Sequence, residues 1–126
     1  MKLRTEAIER WITIEGDNPG EQAEFLVRPM NPKQLSSAVK QCEEVDWDKN
    51  QRFVEPNFYK FKIKKIDQTI LDWKGVEDKD GVALPCTTVN KEIVYIYNVD
   101  LIDKVLAQAD KMAEMQLKDE QDKEKN

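Results

Sequence analysis

Trp11-Ile12-Thr13-Ile14-Glu15-Gly16-Asp17-Asn18-Pro19-Gly20-Glu21-Gln22-Ala23-Glu24-Phe25-Leu26-Val27 is the stretch that decides the fold class. Its first four residues are good strand formers, because aromatic and β-branched side chains suit a pleated surface. Gly16 to Gly20 is a dense turn signal. Ala23, Phe25 and Val27 then alternate with Glu24 and Arg28, with Leu26 breaking the polar side. Pro29 ends the pairing, since proline cannot donate to the ladder. Residues 8–29 are therefore predicted to form a β-hairpin with one apolar face.

Everything downstream reads mainly as helix. Over residues 31–45, Asn31 suits an N-cap and Pro32 the first helical position. Leu35, Ala38 or Val39, Cys42 and Val45 recur every three to four residues and would share a face. Residues 46–57 read as a loop, with Trp47 set among Asp46, Asp48, Lys49 and Asn50. Over residues 58–73 two periods compete. Tyr59, Phe61 and Ile63 alternate with lysines as in a strand, whereas Ile63, Ile66, Ile70 and Trp73 follow helical spacing. The segment exceeds a usual strand in length, so a helix is the expectation.

Gly75 ends that element. Asp78-Lys79-Asp80-Gly81 then reads as a tight turn between the short arms Val76-Glu77 and Val82-Ala83-Leu84, closed by Pro85. Thr87 or Thr88 can cap a helix through Tyr97. Asn98 breaks it, and a longer helix runs from about Asp100 with Leu101, Ile102, Val105, Leu106, Ala109, Met112 and Ala113 as its apolar stripe. The expected fold is α+β: an N-terminal β-hairpin packed with several helices in a single small domain, residues 1–117, followed by a charged, disordered tail, residues 118–126.

The 126 residues suit one domain. With 20 basic and 25 acidic side chains, a net charge of -5 gives no general attraction to nucleic acid or an anionic membrane. The segment before Trp11 is interrupted by charges and has no apolar core of a secretory signal. The longest apolar run, Ile93 to Tyr97, is far short of a membrane span. A cytoplasmic location is expected, with Cys42 and Cys86 as plain thiols.

Chemistry is conspicuous by its missing parts. The chain has no histidine, which removes the commonest general base and the commonest metal ligand. Four glycines supply no phosphate-cradling loop. A calcium-loop alignment that puts Gly81 at position 6 places Val76 and Thr87 where the terminal carboxylates must stand, so it fails at both ends. The paired carboxylates Glu43-Glu44, Glu77-Asp78 and Asp100-Asp103 lie in charge-rich stretches that read as surface. The expectation is a protein that binds and does not catalyse, with no cofactor and no metal.

Two segments could meet a partner. Phe58, Tyr59, Phe61 and Ile63 interleave with Lys60, Lys62, Lys64 and Lys65, a pattern that can bind nucleic acid. The acidic total and the missing arginine favour an ordinary solvated face instead. Ile93-Val94-Tyr95-Ile96-Tyr97 would be apolar all round as a helix and needs cover on several sides. Met112, Met115 and Leu117 carry apolar surface past the end of a small core, and methionine adapts to irregular surfaces. Tyr95, Tyr97, Met112 and Met115 are the expected partner contacts.

One stretch also resembles a known family. Asp72, Trp73, Gly75, Val76, Asp78, Gly81, Leu84, Pro85, Thr87 and Asn90 match a motif of tail assembly chaperones from long-tailed phages and prophages, in which the position of Val89 is often acidic. Such a resemblance implies a protein that coats the tape-measure protein and keeps it soluble until the tail tube polymerises around it. It makes the tape-measure protein the expected partner, with the tail tube protein and self-association left open, and no nucleic acid or membrane. It also assigns Trp73, Gly75, Asp78, Gly81, Leu84, Pro85 and Asn90 a structural role. A head–tail connector or tail-completion protein, and a small nucleic-acid-binding regulator, remain as alternatives.

Overall fold

The computed structural model describes the backbone of residues 1–124 and the side chains through residue 114. The quoted stretch folds as the hairpin β1 (Arg10–Glu15) and β2 (Gln22–Val27). Ile12 pairs with Phe25 and Ile14 with Ala23, so the apolar alternation lies on one face. The turn is closed by the Gly16 N–H donating to the Glu21 carbonyl at 2.8 Å. On the other face Trp11 pairs with Leu26, and the Lys74 ammonium stands 4.3 Å from the Trp11 ring centroid.

Helix α1 (Pro32–Gln41) opens on the expected cap: Asn31 accepts from the Gln34 N–H, and the Gln34 side chain answers to the Asn31 N–H. It ends sooner than its periodicity suggests. Val45 lies in strand β3 (Glu43–Asp48), which pairs with β4 (Gln51–Pro56) where a loop was expected. The turn between them is Lys49-Asn50, at φ 48° and 64°. Two left-handed residues in succession match the twist of a two-residue hairpin, but lysine at the first of them hides the signal. Every residue of this arm is exposed, Val45, Trp47, Phe53 and Val54 included. At its base the Asn57 N–H donates to the Cys42 carbonyl at 2.9 Å.

Helix α2 (Phe58–Thr69) stops four residues before Trp73. The chain passes directly into β5 (Ile70–Lys74), which pairs antiparallel with β2 and makes β2 the centre of a three-stranded sheet. The helical spacing across this junction has a definite origin. Val27 pairs with Ile70 and Leu26 with Asp72, so Leu71 is an extra residue in β5. A bulge of this kind breaks the two-residue alternation. It turns both Ile70 and Trp73 inward, three positions apart, which imitates a helix face.

Beyond β5, helix α3 (Thr88–Tyr97) and helix α4 (Val99–Glu124) are separated at Asn98, as expected. The core joins the inner face of the sheet to α2, α3 and α4 through Phe25, Val27, Ile66, Ile70, Trp73, Val94, Ile102, Val105 and Ala109. Phe25 and Trp73 meet edge to face, 6.3 Å between centroids at 88°. The fold is α+β. The charged tail from residue 118 onward falls outside the described side chains. Among the described residues, no helix is long and apolar enough to cross a membrane.

Candidate interaction surface

The Trp73 to Asn90 stretch is a scaffold that aims α3. Gly75 takes φ +77°, with the Gln22 carbonyl 3.0 Å from where a Cβ would stand. Asp78 accepts from the N–H groups of Asp80 and Val82 through one carboxylate oxygen, at 2.9 and 3.0 Å. That is an Asx turn. Gly81, at φ +78°, donates to the Asp78 carbonyl. Leu84 returns a bond to the Val76 carbonyl and offers its own carbonyl to the Trp73 indole N–H at 2.7 Å. The Asn90 side chain donates to the Pro85 carbonyl, while the Thr87 hydroxyl caps the helix at the Asn90 N–H.

Two polar clamps then fix the rotation of α3. Lys91, only 7% exposed, sends its ammonium to both the carbonyl and the carboxylate of Asp67 on α2, each at 3.1 Å. On the adjoining side the Tyr59 hydroxyl donates to Glu92 at 2.6 Å. This bond raises the Tyr59 pKa, because the carboxylate holds the phenolic proton.

The clamps leave an apolar face pointing out. Val89, Ile93, Ile96 and Tyr97 are 66%, 45%, 47% and 81% exposed. Their offsets of 0, 4, 7 and 8 trace one stripe of a helix. Val94 and Lys91 occupy the buried side. The helix thus buries an ammonium and exposes isoleucines, the reverse of an ordinary surface helix.

Of the expected contacts, Tyr97 is fully on this surface. Tyr95 is half-buried against the core, with the Lys62 ammonium 5.8 Å from its ring centroid. Met112 also packs against the core, on the order of 20 Å along α4 from its start. Met115 lies outside the described side chains. Tyr95, Tyr97 and Met112 do not gather in one place. Val89, Ile93 and Ile96 stand on this face beside Tyr97 and are not among the expected contacts. Their signal was the all-apolar run itself, once Lys91 and Val94 are assigned inward.

Three of the four lysines in the lysine-rich part of α2 form ion pairs within the chain. Lys60 pairs with Glu44 at 3.1 Å, Lys62 with Asp103 at 2.9 Å and Lys65 with Asp110 at 3.6 Å. Glu44 titrates below its usual range, held by hydrogen bonds from Asn57 and Lys60. Among the described residues, no group of three or more Cys, Asp or Glu side chains is placed to hold a metal ion. Cys42 and Cys86 are both free thiols, Cys42 buried and Cys86 half-buried.

A prophage protein is what the comparison with known families defines. The model of the YdaY prophage protein family matches residues 30–126, and the chain belongs to that family. The match takes in α1, the β3–β4 arm, the Trp73 to Asn90 scaffold and α3, and it begins after β2. No curated protein and no solved structure matches the chain.

Proposed function

We propose that this prophage protein is a tail assembly chaperone: a cytoplasmic binding protein, not an enzyme, that holds the tape-measure protein soluble while the tail tube assembles. The observation that carries the reading is the outward apolar stripe of α3. A tape measure is a long chain of amphipathic helices that aggregate when their apolar faces are bare. A helix fixed with its own apolar face outward can cover such a face, and a net charge of -5 keeps the complex dispersed. The family match supplies the phage context, and the resemblance of the Trp73 to Asn90 motif supplies the tail.

Co-expression with the tape-measure protein of the same prophage tests the reading. The tape measure is expected in the soluble fraction with the wild-type chain, and in the pellet with Ile93→Ser/Ile96→Ser. A tape measure equally insoluble with and without the wild-type chain would sink the proposal. The projecting β3–β4 arm favours one second reading, a connector or tail-completion protein, since exposed apolar strands can join neighbouring subunits in a particle. Mass spectrometry of finished particles separates the two: a chaperone is absent, a connector is present.

A further inference from the structure

The stripe on α3 does not end at Tyr97. Ile96, Tyr97, Val99 and Leu101 continue into a hollow of about 640 Å³ beside the β1–β2 turn. Its rim carries Glu15, Asp17, Glu21 and Asp100 against the single cation Lys104. Among the described residues, none of these four carboxylates forms an ion pair, although Glu21 accepts from the Asn18 side chain at 3.1 Å; Lys60, Lys62 and Lys65 on α2, by contrast, are each paired with a carboxylate.

We propose that stripe and hollow together form one docking surface for an amphipathic helix whose apolar face is flanked by lysine or arginine. The proposal rests on α3 being the binding face, as above, but not on which protein supplies the helix. Charge complementarity decides the occupant. A partner apolar throughout would cover the stripe and also strip water from unpaired carboxylates, which costs free energy without return. An acidic helix meets like charge at the rim. A second copy of this chain brings the same carboxylates to the same place. A helix with basic flanks satisfies both parts. From Val89 to Tyr97 the stripe is roughly 12 Å long, about two turns of a facing helix.

The test uses the full chain and two synthetic helical peptides with the same leucine face, one flanked by lysines and one by glutamates, with binding followed by fluorescence anisotropy. The lysine peptide is expected to bind and to weaken as salt rises, and the glutamate peptide is expected not to bind. Glu15→Gln/Asp17→Asn/Glu21→Gln/Asp100→Asn should weaken the lysine peptide by about tenfold or more, as four exposed pairs are lost. Ile93→Ser/Ile96→Ser should abolish binding while circular dichroism stays unchanged. Equal binding of both peptides, or full binding by either variant, overturns the proposal. So does a dimer in sedimentation that Ile93→Ser/Ile96→Ser dissolves. A lysine peptide that binds while the tape-measure protein does not would retain this surface and reject the tail chaperone reading.

Discussion

The indole N–H of Trp73 donates to the backbone carbonyl of Leu84 at 2.7 Å, tying the central sheet to the turn that launches α3. Replacing Trp73 with phenylalanine keeps an aromatic edge against Phe25 and removes the donor. The Leu84 carbonyl, half-buried, then lacks its partner. The expected loss is about 1–3 kcal/mol. Urea unfolding should show a lower midpoint at constant slope, and an unchanged midpoint would show that the bond stabilises nothing.

Gly75 and Gly81 share a left-handed backbone but not their surroundings. A Cβ at Gly75 meets the Gln22 carbonyl at 3.0 Å, whereas at Gly81 the nearest atom is the end of the Glu77 side chain at 3.8 Å. Gly81→Ala should cost about 1 kcal/mol from backbone strain alone. Gly75→Ala should cost more, because β2 must also give way. Equal thermal shifts for the two variants would contradict the contact.

The Lys91–Asp67 pair separates a buried charge from its partner. Asp67→Ala leaves the ammonium in the core without its carboxylate. Lys91→Met removes the charge and keeps most of the stem. Asp67→Ala is expected to destabilise by about 1–3 kcal/mol, a range discounted because Asp67 is partly exposed, and Lys91→Met by less. The reverse order in denaturant melts would mean that the lysine stem, not the charge, carries the contact.

Burial raises the Cys86 pKa above its ordinary value of 9.0, while Lys91 opposes the shift. Less thiolate is present at pH 8 than in an unfolded chain, so iodoacetamide should modify Cys86 more slowly in the folded protein and catch up as pH rises. The sign for stability follows. Above about pH 9 the unfolded thiol loses its proton first, the folded state binds more protons, and stability falls with further rise in pH. A Cys86→Ser variant should lose that part of the alkaline slope.

Inward and outward isoleucines should respond unequally to truncation. Ile66 and Ile102 are fully buried, and changing either to alanine should cost about 2–5 kcal/mol. Ile93→Ser and Ile96→Ser should stay within about 1 kcal/mol of wild type. A large loss at Ile96 would mean that its face is packed, and the docking surface would fall with it.

Much of this is visible in the chain before folding. The β1–β2 hairpin, the Asn31 and Thr87 caps and the Asn98 break all follow from local chemistry: turn residues, capping side chains and period. Three features do not. The Lys49-Asn50 turn lacks the usual glycine, so the arm reads as a loop. The Leu71 bulge makes β5 copy a helix. The rotation of α3 depends on Asp67 and Tyr59, both distant in sequence, so an all-apolar run cannot announce which side meets solvent. The first two are local exceptions to rules of spacing. The last is tertiary, and it is the one that decides which side of α3 meets solvent.

The bond between Asn57 and Cys42 bears on more than the arm it closes. The chain departs from the body and rejoins it at adjoining points, and Glu44 at the base of the arm adds bonds to Asn57 and Lys60, so the remainder is a detour that takes no part in the buried core. Such a detour behaves as a cassette. Its length and decoration can drift, or be exchanged outright, while the sheet and α3 keep their places. Specificity for a new neighbour could therefore be written there without redesigning the rest.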